Sequence, residues 1–206
     1  MKKSIIAIIA VVILAGAWSG AKAQDNITSV TYQVSVPLGD LENYIGKTSW
    51  IGWGIEGRHF RSPDSKITLG FSFAWHVFDD ELTTTTQVNN GAVTGYQQRY
   101  VNSLPFLVTA DYYLDRTVGK IKPYVGVGAG AYYVVEQLNI GVYKDEESTW
   151  CFGLEGEAGL QWPVSDVEGL IAVRYHYAID AGQTYSGADE DFAYFTAVIG
   201  VAYARW

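Results

Sequence analysis

Ile67-Thr68-Leu69-Gly70-Phe71-Ser72-Phe73-Ala74-Trp75 alternates without a break, with Ile67, Leu69, Phe71, Phe73 and Trp75 on one parity and Thr68, Gly70, Ser72 and Ala74 on the other. A period of two puts successive side chains on opposite faces of an extended strand. The same alternation occurs earlier, where Val30, Tyr32, Val34 and Val36 are set against Ser29, Thr31, Gln33 and Ser35. The second face decides the fold. It holds glycine, small polar residues and a few charges of both signs, not the lysines and glutamates of a wetted surface. A strand with one apolar face and one crowded polar face reads as part of the wall of a membrane-spanning barrel, with lipid outside and a narrow interior within.

Working outward, the pattern predicts strands near 27–37, 48–60, 66–78, 98–114, 121–136, 149–162, 169–179 and 192–205. The expected fold is all-β: an eight-stranded antiparallel up-and-down transmembrane β-barrel. The connections alternate in length. Arg61 to Ser65, Asp115 to Lys120 and Pro163 to Glu168 are short; Leu38 to Lys47, Asp79 to Gln97, Gln137 to Ser148 and Asp180 to Asp191 are longer. Outer-membrane barrels have short periplasmic turns and longer extracellular loops, and an even strand count puts both termini on the short-turn side. Pro105 falls inside the fourth strand, and a closed barrel has no free edge for it, so a bulge is expected there.

Composition agrees. Aromatic residues are 15% of the chain and charged residues 17%, with 22 glycines and 5 prolines. Lys2 and Lys3, the apolar run Ile5 to Trp18 and the small-x-small Ala21-Lys22-Ala23 read as a signal peptide over 1–23, cleaved before Gln24, leaving a barrel domain over 24–206. The run is shorter than the roughly 20 residues of a spanning helix, which argues against an uncleaved anchor. The formal charge of −8 becomes −11 once the three lysines of that segment are removed. Such a charge argues against nucleic acid as a partner. Cys151 is the single cysteine, so no internal disulfide can form, and its place on the inner face suits a buried, inert thiol.

The inward parity carries the candidate site. Glu56, Arg58, Asp111, Glu155, Glu157, Arg174 and His176 point to the axis, as does His76. An interior this narrow is filled by side chains. These groups are therefore expected to form an ion-pair and hydrogen-bond network that plugs and stiffens the barrel, with a selectivity lining or gate as the alternative. On the outward parity, Trp53, Trp75, Tyr133, Trp150 and Tyr177 fall near the long-loop ends and Tyr112, Trp162 and Tyr203 near the short-turn ends, as aromatic girdles at the two lipid interfaces would. Catalysis ranks last: no serine is expected beside either inward histidine, and the three histidines show no ligand spacing. No metal or cofactor is expected. The 79–97 connection, with Asn89-Asn90-Gly91 at its tip, reads as a protruding hairpin whose open edges suit strand addition, and so as a candidate surface for a ligand.

With its strand count, short turns, signal and final Tyr203 and Trp206, the chain resembles the small outer-membrane β-barrel superfamily that includes the OmpA transmembrane domain, OmpX, OmpW and opacity-type "porin family" proteins. Val34-Ser35-Val36-Pro37-Leu38-Gly39-Asp40 looks like the end of the first strand in that group. The resemblance implies the outer membrane of a Gram-negative-type envelope, outer-membrane lipid around the barrel, and delivery by periplasmic chaperones to the barrel assembly machinery, which reads the terminal aromatic. Trp206 sits on the parity opposite to Phe195, Ala197, Ile199, Val201 and Tyr203, a departure from the usual ending. The chain stops at Trp206, so the wall-binding domain of longer OmpA proteins is not expected. Three roles stay open: a structural or surface-interaction barrel displaying loops, a narrow passage for small or apolar solutes, and a lipid-modifying enzyme. A soluble periplasmic barrel is the alternative fold. It would have to turn every Trp, Phe and Leu of the apolar face into the lumen, which is too narrow to hold them.

Overall fold

The computed structural model describes residues 26–62, 64–88, 91–117, 119–140, 143–183 and 189–204. Nine elements follow in order: β1 (Asn26–Gly39), α1 (Asp40–Tyr44), β2 (Ile51–Phe60), β3 (Ile67–Val88), β4 (Gly91–Tyr113), β5 (Lys122–Ile140), β6 (Tyr143–Val164), β7 (Val167–Gln183) and β8 (Asp189–Ala204). Each strand pairs antiparallel with its sequence neighbours, and β1 pairs with β8 from Ile27↔Ala204 to Gly39↔Phe192, closing the barrel. The expected fold is the one observed. The signal segment 1–23 and Trp206 lie outside the described residues.

Alternation sets the two faces as the sequence predicts. Phe71, Val127 and Ile199 stand on the outside, each more than half exposed, while Ser29, Thr31, Gln33, Ser72 and Thr109 are buried on the inside. A continuous exposed band of Val, Ile, Leu and Phe is stable where acyl chains replace water. Inverting the faces, as a soluble barrel requires, is excluded by this arrangement.

Three expectations need correction. First, the connections over 137–148 and 180–191 are strand wherever they are described, as are the arms of the hairpin expected over 79–97. β3 and β4 pair all the way to Val88↔Gly91, β5 and β6 to Ile140↔Tyr143, and β7 and β8 to Gln183↔Asp189. The barrel wall therefore rises well past its aromatic ring, and the expected hairpin over 79–97 is the tip of a long β3–β4 ribbon. Residues 89 and 90 of its turn lie outside the described residues. Second, Pro105 makes no bulge. The β4–β5 register runs unbroken through Pro105↔Tyr132. On the other side, β3–β4 pairing lapses at Leu104 and Pro105 and resumes at His76↔Ser103 in the same register. Proline simply has no N–H to give β3 there. Third, the Leu38 to Lys47 connection is not all loop: Gly39, at φ 59, turns the chain into α1, which folds back into the barrel mouth.

Candidate functional site

The inward side chains form layers along the axis. At mid-depth, two guanidinium groups meet carboxylates from three strands. Arg58 on β2 places Nη2 2.9 Å from Glu56 Oε2 and 3.1 Å from Glu157 Oε1, and its Nε 3.1 Å from Asp111 Oδ2. Arg174 on β7 donates through Nη2 to Glu56 Oε1 and, at 3.2 Å, to Glu157 Oε1. The hydroxyl of Tyr124 also donates to Glu157 Oε1, and the Tyr124 ring lies 4.6 Å from the Arg58 guanidinium. Thr68 Oγ1 donates to Asp111 Oδ2 at 2.9 Å. All five charged residues are buried. Charges taken this far from water hold their place only when paired and hydrogen-bonded. The sequence-predicted Glu56, Arg58, Asp111, Glu157 and Arg174 are thus brought into one cluster.

Glu155 and His176 stand apart from it, one layer toward the loop end. Glu155 Oε2 lies 3.5 Å from His176 Nδ1, which also faces Tyr132 Oη at 3.0 Å. His76 is beside them, its ring centroid 5.2 Å from that of His176. Its Nδ1 faces Ser35 Oγ at 2.9 Å, and Ser35 in turn meets Thr196 Oγ1 at 3.0 Å. A serine therefore does stand beside an inward histidine, contrary to the sequence expectation. It comes from β1, which reaches β3 over the glycines of β2. A Cβ on Gly52 would lie 3.2 Å from Gln33 Cβ, and one on Gly54 3.0 Å from Thr31 Oγ1. Among the described residues no carboxylate is bonded to His76, and both members of the pair are buried. The pair lacks the orienting acid and the open approach of a nucleophilic site.

Above this layer α1 closes the mouth. Leu41 and Ile45 are fully buried against Phe78, Val101, Val134, Ala178, Ala181, Phe192 and Tyr194. Arg99 Nη1 donates to the Tyr44 carbonyl at 3.0 Å and its guanidinium lies 4.9 Å from the Tyr44 ring. Asp80 accepts from Gly46 N at 3.3 Å and pairs with Lys47 at 2.8 Å. At the opposite end a second apolar layer of Ile27, Phe60, Tyr113, Tyr124, Leu170, Val198 and Ala202 underlies the network. Below it lies a buried Lys122–Glu168 ion pair. Sequence reading missed α1, Ser35, Lys122 and Glu168. The i, i+4 spacing of Leu41 and Ile45 was the one available signal for the plug.

Beyond the aromatic ring toward the loop end, Glu136, Glu147 and Glu190 lie near one another on the inner rim. Glu136 lies three residues beyond the girdle residue Tyr133 and pairs across strands with Glu147. Burial pushes its carboxyl up to about 8, and the nearby Glu190 and Glu147 add to this. Among the described residues no group of three or more His, Cys, Asp and Glu side chains is arranged to hold a metal ion.

The predicted girdle residues are all on the outer parity. Trp53, Trp75, Trp150, Tyr112 and Tyr203 are exposed, and Tyr133, Trp162 and Tyr177 half-buried. Trp75 Nε1 donates to Asn102 at 3.0 Å, and Tyr133 packs on Trp150 at 4.9 Å between ring centroids. Cys151 is inward and half-buried, its thiol 3.7 Å from the Tyr132 carbonyl.

Comparison with known proteins gives the same architecture. The chain is similar to the neisserial surface protein NspA, at TM-score 0.52 and 15% identity over 87% of this chain and 96% of that one. It is also similar to Ail, the attachment invasion locus protein of Yersinia pestis, solved in complex with the heparin analogue sucrose octasulfate, at TM-score 0.54 and 17% identity over 88% and 98%. In sequence it is 33% identical over 132 residues to the outer membrane protein Omp38 of Acinetobacter baumannii, a match over 62% of this chain and only 33% of that protein's length. No family model matches. The fold is that of the small eight-stranded outer-membrane barrels. With its exposed apolar band, the chain is an outer-membrane β-barrel protein of a Gram-negative-type envelope.

Proposed function

We propose that this protein is a structural and surface-interaction barrel: its interior is occupied by its own side chains, and it presents the β3–β4 ribbon to the outside. The observation that carries the reading is the run of buried side chains along the axis, from Leu41 and Ile45 at the mouth to the Lys122–Glu168 pair at the far end. An eight-stranded barrel is only wide enough for side chains to fill it. Function then falls to what the barrel displays. The ribbon offers that surface. From Phe78 to Val88, β3 pairs with β4, while its pairing with β2 ends at Ile51↔Val77. A ribbon that extends past the pairing of β3 with β2 suits the addition of an extended segment from a partner.

Charge narrows the partner class. Asp79, Asp80, Glu81, Asp145, Glu146, Glu147, Asp180, Glu190 and Asp191 lie toward the loop end, against Lys47, Arg99 and Lys144. Such a rim suits a neutral or cationic partner, and does not suit a sulfated ligand of the kind bound by Ail. Tyr203 on the outer face of β8, followed by Trp206, supports recognition by the barrel assembly machinery after chaperone delivery.

Two measurements test the reading. Purified protein in planar bilayers is expected to give no steady discrete channels; their appearance would replace it with a narrow passage for small or apolar solutes. Deleting 83–97 is expected to abolish attachment of intact cells to a panel of immobilised host and matrix proteins while leaving the barrel folded. Unchanged attachment would remove the ribbon from the proposal.

A further inference from the structure

The two histidines of the lumen lie immediately under the α1 plug. Tyr194, which packs with Leu41 and Ile45 in the mouth cluster, stacks on His176 at 4.5 Å and meets His76 edge-on at 5.0 Å. The imidazoles are fully buried, 5.2 Å apart between centroids and inclined at 64°. Each is held through Nδ1 by a neighbouring hydroxyl, Ser35 for His76 and Tyr132 for His176. Each has an Nε2 that finds no partner among the described residues. This is an arrangement for two neutral rings.

We propose that the His76–His176 pair is a proton-sensitive catch for α1: the plug sits in the mouth while both rings are neutral, and protonation of the pair drives it out. The charges around the pair explain why. β6 contributes Glu155, 3.5 Å from His176, and β7 contributes Arg174 just below. β5 and β8 contribute only the phenols of Tyr132 and Tyr194. β1 offers Ser35, β4 Ser103 and β2 the glycine Gly52 opposite His76. Glu56 and Glu157 are already engaged by Arg58 and Arg174. One carboxylate is therefore available to two imidazolium ions beside a guanidinium. Such an excess of positive charge cannot stay under an apolar roof unless water reaches it.

α1 is the part of that roof built to move. It is a single turn of five residues without a side-chain N-cap, strung between Gly39 at φ 59 and Gly46. Its polar attachments include Gly46 and Lys47 to Asp80, and the Tyr44 carbonyl to Arg99. An open state with both rings in water binds more protons than the closed one. Linkage then raises the open-to-closed ratio by up to about tenfold per pH unit for each histidine, below the usual imidazole titration near 6.5.

The test uses the full barrel in lipid nanodiscs with Cys151→Ser. Spin labels are placed at Glu42→Cys on α1 and Glu146→Cys on the rim of β6, both exposed. Double electron–electron resonance at pH 7.5 is expected to give one distance. At pH 5.0 a second, longer population is expected, its ratio to the first raised by at least about tenfold. His76→Gln with His176→Gln is expected to abolish that population. Its absence from the parent at pH 5.0, or an equal amount in the double variant, overturns the proposal. If the double variant fails to fold, each single variant is expected to flatten the pH dependence, and unchanged slopes in both overturn it equally.

Discussion

Replacing Arg174 by alanine probes the interior most directly. The side chain is fully buried, and its Nη2 serves two carboxylates, Glu56 and Glu157. Without it, Arg58 alone answers Glu56, Asp111 and Glu157. Breaking a buried pair by removing one partner costs about 3–5 kcal/mol, because the other charge is stranded. Two features pull the estimate toward the lower end. Arg174 Nε and Nη1 find no partner among the described residues, so the bonding being lost is not ideal. A stranded carboxylate can also take up a proton, at about 1.4 kcal/mol per pH unit above its ordinary range near 4.3, which caps that part of the penalty at about 3–4 kcal/mol at pH 7. The expected loss at pH 7 is therefore about 3 kcal/mol.

Urea unfolding in lipid vesicles reads this as a midpoint lowered by roughly 1–3 M. The proton escape gives a second, independent mark. At pH 5 the same cap is about 1 kcal/mol, so most of the loss should disappear on acidification. Arg174→Met, which keeps volume but strands the same charges, is expected to show the same pH dependence with a smaller absolute loss, since the cavity is filled. A loss under about 1 kcal/mol at pH 7, or one of equal size at pH 5, would mean that the network is not what holds the mid-barrel together.

Two further outcomes follow from the same structure. Glu136 is favoured protonated in the fold, its carboxyl held at about 8 against an ordinary 4.5. Its contribution to stability is complete below about pH 4.5 and is lost as pH rises to about 8, for a total on the order of a few kcal/mol; Glu136→Gln should flatten the unfolding midpoint over that window, and parallel pH profiles for parent and variant would refute it. A Cβ on Gly130 would press on the Phe106 carbonyl and lie 3.0 Å from Leu107 Cα, whereas one on Gly156 meets nothing within 4 Å. Gly130→Ala is therefore expected to cost about 1–3 kcal/mol, with Gly156→Ala inside about 0.5 kcal/mol; equal effects at the two positions would show that the wall tolerates the extra methyl.

How far the sequence could be read depends on where lipid is. Inside the membrane the two faces differ sharply, so parity alone assigned Phe71 and Val127 outward and Glu56 and Arg174 inward. Beyond the girdle the alternation fades, and stretches such as Asp145 to Ser148 look like loop although they pair in register with Val135 to Leu138. Parity names a face but not a neighbour across the lumen. The contact between Ser35 and His76 depends on the glycines of the intervening β2, and the Lys122–Glu168 pair spans β6. α1 escaped because five residues carry a single helical repeat, too little for a periodicity to register beside the acidic Asp40 and Glu42.

The layering also explains why the central charges can be strong at all. Ion pairs weaken where water competes and strengthen where it is kept away. Here Phe60, Tyr113, Leu170 and Val198 lie on the short-turn side of the Arg58–Arg174 cluster, and Leu41, Ile45, Phe78 and Phe192 on the other. The cluster is thus held between two apolar plugs inside a wall that faces lipid. The lower plug is made of residues fixed in strands, while part of the upper one rests on α1 and its glycine-flanked turn. If water enters this barrel by either end, the mouth is the easier route, and it meets His76 and His176 before it reaches any carboxylate of the central cluster. The histidines therefore stand between the medium and the ion pairs, so that their state of charge sets how well the network beneath them is shielded.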